Sequence, residues 1–107
     1  MATAKDPRTS ETFQKLLRET GKIEWKLLAP QFESGDLVII DESLDLVMVA
    51  YCFAEDNKEQ VAAWLEAGQI ARITAEQAAP WDEENPLFWA VVVAPWVLIQ
   101  PVKKATS

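Results

Sequence analysis

The sequence contains no histidine, so it lacks the side chain that most often serves as a general base at neutral pH and as a nitrogen ligand for metals. Serine and cysteine nucleophiles that depend on a histidine are excluded for the same reason. Cysteine occurs once, at Cys52, so an internal disulfide and cysteine-based zinc or iron-sulfur sites are also excluded. We therefore expect no metal and no cofactor, and the sequence favours a non-catalytic role.

Glycine and long apolar runs are also scarce. The three glycines, Gly21, Gly35 and Gly68, are isolated, so no glycine-rich phosphate loop exists, and each is placed where it would end a helix. The longest apolar run, 87–99, is shorter than the roughly 20 residues that a membrane-spanning helix needs, and Pro95 interrupts it. The N-terminal segment lacks the apolar core of a signal peptide. We expect a cytoplasmic protein that does not enter a membrane.

Basic charge is rare in the middle of the chain. Residues 33–84 carry thirteen Asp and Glu side chains against two cations, Lys58 and Arg72, which gives this segment a net charge of −11. Residues 1–32 and 85–107 each have a net charge of +2, so the total is −7. Such a surface repels a phosphate backbone, and we expect no nucleic-acid partner. Solubility is the simplest explanation of the acidic segment, and mimicry of a nucleic acid is a less favoured one.

Helical spacing, capping residues and glycines predict helices in four segments, which are 10–20, 25–34, 56–67 and 75–84. Pro30 is unfavourable inside the second segment, so a helix that begins near Ala29 is the alternative. Thr74 and Gln77 have the spacing of a capping box at the start of the fourth. Trp64 lies on the apolar stripe of the third helix, where we expect it to be a core residue.

Extended structure is predicted in the remaining apolar segments. Residues 36–41 and 46–54 predict two strands joined by a connection of hairpin length. The second of these is apolar on both faces and should lie centrally in the sheet. Residues 70–73 are a candidate edge strand. In the run 87–100, Pro95 cannot donate a ladder hydrogen bond, which favours a bent strand over a hairpin of two strands.

These elements predict one α+β domain over residues 1–107, in which an antiparallel or mixed sheet of about four strands carries helices mainly on one face. Residues 1–8 are expected to be a frayed N-terminus and residues 103–107 a polar C-terminal tail. Because the helices would leave one apolar sheet face uncovered, we expect a homodimer through that face and the C-terminal strand.

Five tryptophans are many for a chain of this length, and three of them lie in its last third. Either they are core residues, as large aromatics usually are, or they form an aromatic patch with an acidic rim that suits a protein partner. The candidate interaction surface on the second interpretation is Trp81, Glu83, Glu84, Asn85, Trp89 and Trp96. In a straight strand Trp89 and Trp96 would face opposite sides, and Trp96 is the strongest candidate because it follows Pro95.

The favoured function is a non-catalytic protein-interaction or regulatory module that acts as a homodimer and has a protein partner. The alternative is a small-ligand-binding domain or an enzyme that uses carboxylates. Acidic side chains cluster in 41–45, 55–56 and 82–84, where Mg²⁺ or Ca²⁺ would find oxygen ligands, but none of these segments has the pattern of a calcium-binding loop.

Several motifs resemble those of a bacterial family described as domain of unknown function 2288. They are Trp25 with Leu28 and Pro30, Leu44-Asp45-Leu46-Val47, Trp64-Leu65 before Gly68-Gln69, Glu84-Asn85-Pro86-Leu87-Phe88, and Pro95-Trp96-Val97-Leu98-Ile99-Gln100. The resemblance extends from about Leu16 to Gln100. It implies a compact bacterial cytoplasmic domain and carries over no activity, ligand or catalytic residue.

Overall fold

The structure is a computed structural model that describes residues 9–102, and within that range the chain forms five helices and five strands. In chain order they are α1 (Glu11–Glu19), β1 (Gly21–Glu24), α2 (Trp25–Ser34), β2 (Leu37–Ile40), α3 (Leu46–Ala54), α4 (Lys58–Ala67), β3 (Ile70–Arg72), α5 (Ala75–Glu84), β4 (Leu87–Val93) and β5 (Trp96–Pro101). The predicted α+β class is confirmed. None of these helices has the length and apolar character needed to cross a bilayer. The expectations for 1–8 and 103–107 concern residues outside the described range.

Two of the predicted helices, α1 and α5, begin at residues whose side chains accept hydrogen bonds from their first amide groups. The Ser10 hydroxyl accepts hydrogen bonds from the backbone amides of Thr12 and Phe13 at the start of α1. At the start of α5, the Thr74 hydroxyl accepts from the Gln77 amide while the Gln77 side chain accepts from the Thr74 amide. This reciprocal pair is the capping box that the sequence predicted.

Two of the three glycines end helices as predicted. Gly35 and Gly68 have φ angles of 81° and 75° and follow α2 and α4. Gly21 does not end α1, because Thr20 leaves the helix in an extended conformation and Gly21 already belongs to β1. Helix α2 begins before Pro30 and runs through it, so the alternative of a later start is wrong.

The segment 46–54, predicted to be a strand, is helix α3. The Asp45 carboxylate accepts hydrogen bonds from the amides of Val47, at 3.0 Å, and Met48, at 3.4 Å, and so caps the helix. Val49 is fully buried against the sheet. A short run that is apolar on all sides fits a buried helix as well as a two-faced strand, so its periodicity could not separate the two.

The C-terminal apolar run is a hairpin rather than a bent strand. Strands β4 and β5 pair antiparallel up to Val93 opposite Trp96, which leaves Ala94 and Pro95 as a two-residue turn with a cis peptide bond between them. Proline is tolerated here because it lies in the turn, outside the hydrogen-bonded ladder. The preference for a bent strand was therefore wrong.

The described strands form one mixed sheet in the order β1-β4-β5-β2-β3, with β2 parallel to β5 and the other neighbours antiparallel. It has five strands instead of about four: 46–54 is a helix, the C-terminal run supplies two strands instead of one, and the short β1, with one apolar residue, was not predicted. Strand β3 lies at an edge, as expected. The C-terminal strand β5 is central and paired on both sides, so it cannot pair with a second copy. In this part of the chain, the unpaired edges are the outer sides of β1 and β3.

Helices lie on both faces of the sheet. Helices α1, α3 and α4 pack on the first face, where Ile40 and Leu98 are fully buried, and α2 and α5 pack on the second, around Trp25, Phe88 and Ile99. Within residues 9–102 the first face thus has three helices and the second has two. The second face is not left open, and this removes the broad uncovered surface that was expected to form the dimer.

Candidate functional site

The structure places the residues of the predicted interaction surface in three locations. Trp81, Glu83, Glu84 and Asn85 are at the C-terminal end of α5, Trp89 is in β4, and Trp96 is at the start of β5. The hairpin pairs Trp89 with Gln100 and Trp96 with Val93, and opposed residues project from the same face. Trp89 and Trp96 therefore share the first face, contrary to the expectation for a straight strand, while Trp81 packs on the second face.

Trp81 belongs to an aromatic cluster of the second face. Its ring centroid lies 5.1 Å from that of Trp25 and 5.0 Å from that of Phe88, and both contacts are edge-on. Trp25 is only 1% exposed, and its indole Nε1–H donates a hydrogen bond of 2.8 Å to Asp82 Oδ1. Edge-on stacking and the satisfied indole are typical of core aromatics, so Trp81 stabilises the contact between α5 and the sheet.

Asn85 also has a structural role. It ends α5 in the left-handed conformation, with φ of 47°, and its Oδ1 accepts a hydrogen bond of 2.9 Å from the Lys26 amide in the first turn of α2. Glu24, at the N-cap position of α2, makes no side-chain capping bond. The capping hydrogen bond of α2 is thus supplied by Asn85, at the C-terminal end of α5. Its neighbours Glu83 and Glu84 are exposed.

The acidic segments do not form a cation site in the described residues, where no three metal-binding side chains come together. Asp41 instead accepts hydrogen bonds from the hydroxyl and amide of Ser43, and these lower the pKa of its carboxyl below the ordinary value of 3.8. The Gln100 side-chain amide donates to the carbonyls of Asp41, at 2.9 Å, and Leu44, at 2.7 Å. This network fixes the loop that leads into α3.

Trp96 lines an open groove of about 540 Å³ on the first face of the sheet. The groove lies between the C-terminal end of α3, helix α4, strand β3 and the β4–β5 turn. Its walls are mainly apolar and include Cys52, Phe53, Val61, Leu65, Pro95 and Trp96. Sequence reasoning found Trp96 but missed the groove, which exists only because 46–54 is a helix and 87–101 a hairpin.

Both cations of the acidic segment line this groove. The Arg72 guanidinium carbon lies 5.3 Å from the centroid of the Trp96 ring, in a cation–π arrangement. Lys58 Nζ lies 4.0 Å from Asp56 Oδ2, and both side chains are largely exposed. Cys52 is buried, which raises the pKa of its thiol, so it stays protonated at neutral pH and forms part of the apolar wall.

A second surface is the outer edge of β1, which pairs with no other strand of residues 9–102. Lys22 and Glu24 lie on the first face of this strand, and Ile23 lies on the second. Lys22 Nζ lies 5.1 Å from the centroid of the Trp89 ring on the neighbouring strand. Along the edge, a cation on one side and an anion on the other thus flank a single apolar residue.

A shallow depression of about 320 Å³ adjoins this edge on the second face. Two of its lining side chains are among the most exposed large apolar residues of the described chain, Leu27 at 63% and Val92 at 59%. Glu19 and Lys22 also line it, so its charges balance. It is smaller and more open than the groove, and it shares Ile23 with the edge of β1.

A family model described as "Protein of unknown function (DUF2288)" matches residues 11–101. The chain belongs to the DUF2288 family. The resemblance drawn from the motifs is thereby confirmed. This DUF2288 domain is similar to PA1075 from Pseudomonas aeruginosa, whose solution structure was determined by NMR. The two sequences are 41% identical, the structures superpose with a TM-score of 0.77, and the match covers 100% of this chain and 98% of the PA1075 chain. No curated protein matches the sequence.

Proposed function

We propose that this domain is a non-catalytic protein-interaction module that acts as a homodimer, joined through the outer edges of two β1 strands. The observation that supports this is the composition of the edge: Lys22, Ile23 and Glu24 are complementary to a second copy of themselves. An unpaired edge presents free amide and carbonyl groups, to which another strand can be added.

A two-fold axis through Ile23 pairs the two strands antiparallel. In that register Lys22 of each copy lies directly opposite Glu24 of the other, so the interface contains the same ion pair twice. Opposite charges at directly opposed positions contribute roughly 0.2–1 kcal/mol each. The two Ile23 side chains then meet on the second face, next to Leu27.

The distribution of charge also favours this end of the molecule. Strands β2 and β3, which come from the segment of net charge −11, lie at the opposite end of the sheet from β1. Two copies with a charge of −7 repel least when their β1 ends face each other. The exposed Leu27 and Val92 flank the same edge and would lose contact with water.

The edge of four residues is short, so we expect a reversible dimer at micromolar protein concentrations. Stable interfaces bury about 800 Å² per partner, and a short strand pair with two flanking apolar side chains falls at or below that size. Each copy keeps its groove, because the groove lies beside β3 rather than β1.

Light scattering over a range of micromolar concentrations tests the proposal. We expect the mass to rise towards twice the monomer value of 12.0 kDa. Lys22→Glu and Glu24→Lys should each weaken the dimer, because each places like charges opposite one another. The double variant with both changes should recover it, because the ion pairs are restored with their signs exchanged.

The matched control is Lys15→Glu, an exposed residue of α1 that neither belongs to β1 nor lines the depression beside it, and that changes the net charge by the same amount as Lys22→Glu. It should leave the dimer nearly unchanged. A 12.0 kDa monomer at every concentration would exclude the homodimer. A dimer that is insensitive to both single changes would place the interface elsewhere.

A further inference from the structure

We infer that the groove between α4 and the sheet binds a small amphipathic carboxylate, with its apolar body against Phe53, Val61 and Leu65 and its carboxylate at Arg72. This inference goes beyond the proposed dimer and does not depend on it, since the two surfaces lie at opposite ends of the sheet.

The size and lining of the groove fit a small molecule. Its volume of about 540 Å³ lies within the range of roughly 300–1,000 Å³ of small-ligand sites, which are mainly apolar with a few placed polar groups. Side chains from α3, α4 and the hairpin form its apolar surface, and Leu65 is 54% exposed. An alkyl or aryl group that covers this side chain removes apolar surface from water, which favours binding.

The charge of the groove selects an anion. Residues 33–84 have a net charge of −11 and contain only two cations, Lys58 and Arg72. Both of these cations line the groove. Lys58 already has Asp56 at ion-pair distance, whereas no carboxylate of the described residues lies within that distance of Arg72. Arg72 is therefore the group available to a ligand.

The geometry of Arg72 points to a carboxylate. A guanidinium presents a planar fork of N–H donors that matches the two oxygens of a carboxylate. Stacking over the Trp96 ring holds this group in place without using its N–H donors, so less conformational freedom is lost on binding. A polyanion would meet the surrounding acidic segment, and a cation would meet Arg72 and Lys58, so a single carboxylate on an apolar body is the chemistry that fits.

Decanoate, decanol and decyltrimethylammonium are probes with the same alkyl chain and different head groups. Each would be titrated below its micelle concentration into the ¹⁵N-labelled protein, with amide shifts of groove residues as the readout. We expect decanoate to bind more tightly than decanol, and the cation most weakly. Arg72→Gln should weaken decanoate binding about tenfold or more, as expected for a lost charge-assisted pair, and leave decanol unchanged.

Arg18→Gln is the charge-matched control, because Arg18 is exposed on α1 and does not line the groove. It should not change the affinity for decanoate. Equal binding of decanol and decanoate to the unmodified protein, or an equal effect of both arginine changes, would overturn the assignment of a carboxylate at Arg72.

Two neighbouring alanines of α4 test the location independently of Arg72. Ala62 lines the groove and Ala63 does not, and both are exposed. Ala62→Phe should fill the groove and abolish decanoate binding, whereas Ala63→Phe should leave it intact, with equal circular dichroism for both variants. Binding that persists in Ala62→Phe, or is lost equally in both variants, would overturn the proposed site.

Discussion

The hydrogen bond between Trp25 and Asp82 is one of the contacts that join α2 and α5 on the second face. Trp25 lies at the start of α2 and is almost completely buried, and Asp82 lies in the last turns of α5. A buried donor that loses its acceptor contributes an unsatisfied group to the folded state, and this costs more than a hydrogen bond at the surface. The contact therefore makes an exposed carboxylate important for the packing of a core residue.

We expect Asp82→Ala to lower the free energy of unfolding by about 1–3 kcal/mol, because the indole N–H is left without its acceptor. Asp82→Asn keeps a side-chain oxygen and should cost less. Urea denaturation monitored by tryptophan fluorescence measures both. Glu83→Ala, at the adjacent exposed position, is the control and should have little effect. Equal losses for all three would mean that the acidic charge, rather than the hydrogen bond, stabilises this end of α5.

At the scale of elements, the N-terminus of α3 is capped by the Asp45 side chain. We expect Asp45→Ala to lower the free energy of unfolding by about 0.5–2 kcal/mol, since the amides of Val47 and Met48 lose their acceptor. Asp45→Asn retains a capping oxygen and should preserve most of the stability. The measurement is the midpoint of urea denaturation.

Glu42→Ala is the matched control for the cap, because Glu42 lies exposed in the same loop and makes no capping bond. It should leave the midpoint nearly unchanged. If Asp45→Asn destabilised the protein as much as Asp45→Ala, the charge of Asp45 rather than its hydrogen bonds would be responsible.

The elements that the sequence predicted correctly have local signals. Capping residues or terminal glycines mark α1, α2, α4 and α5, and short β-branched runs mark β2 and β3. The signal for α3 was also present, as Asp45 before an apolar run, but both faces of that run are apolar and the period was ambiguous. Strand β1 has no local signal: four residues with one apolar side chain become a strand only because β4 pairs with them.

The geometry of the candidate site was harder to predict than the fold. Trp96, a candidate because it follows Pro95, lines the groove, whereas Trp81 contacts Trp25 and Phe88, and Asn85 accepts a hydrogen bond from the Lys26 amide. Lys58 and Arg72 were visible as the two cations of an acidic segment. Their meeting at one groove depends on tertiary packing, because α4 and β3 approach the turn of a hairpin that was predicted as a bent strand.

For the molecule as a whole, the core is divided between two faces, and the tryptophans contribute unequally to it. Trp25 is 1% exposed in the second-face cluster, whereas Trp64, predicted as a core residue, is only partly buried, and α4 contains no fully buried side chain. We expect Trp25→Ala to cost about 3–5 kcal/mol, a large part of the roughly 5–15 kcal/mol that stabilises a domain of this size.

The loss for Trp64→Ala should be smaller, because part of its side chain already contacts water and its removal leaves a smaller cavity. Denaturant midpoints of both variants at the same protein concentration provide the comparison. Equal losses would show that α4 contributes to the core as strongly as α2 does.

The central position of the C-terminal hairpin has a consequence for biosynthesis. Strand β1 pairs only with β4 among the described strands, and β2 meets the rest of the sheet through β5. When the ribosome has translated as far as Glu84, β1 has no neighbour and β2 has only the three residues of β3. Before the hairpin is synthesised, β1 is therefore unpaired and separated from the β2–β3 pair, because the hairpin lies between them in the sheet. Completion of the sheet is then a late event, governed by contacts that are distant in sequence.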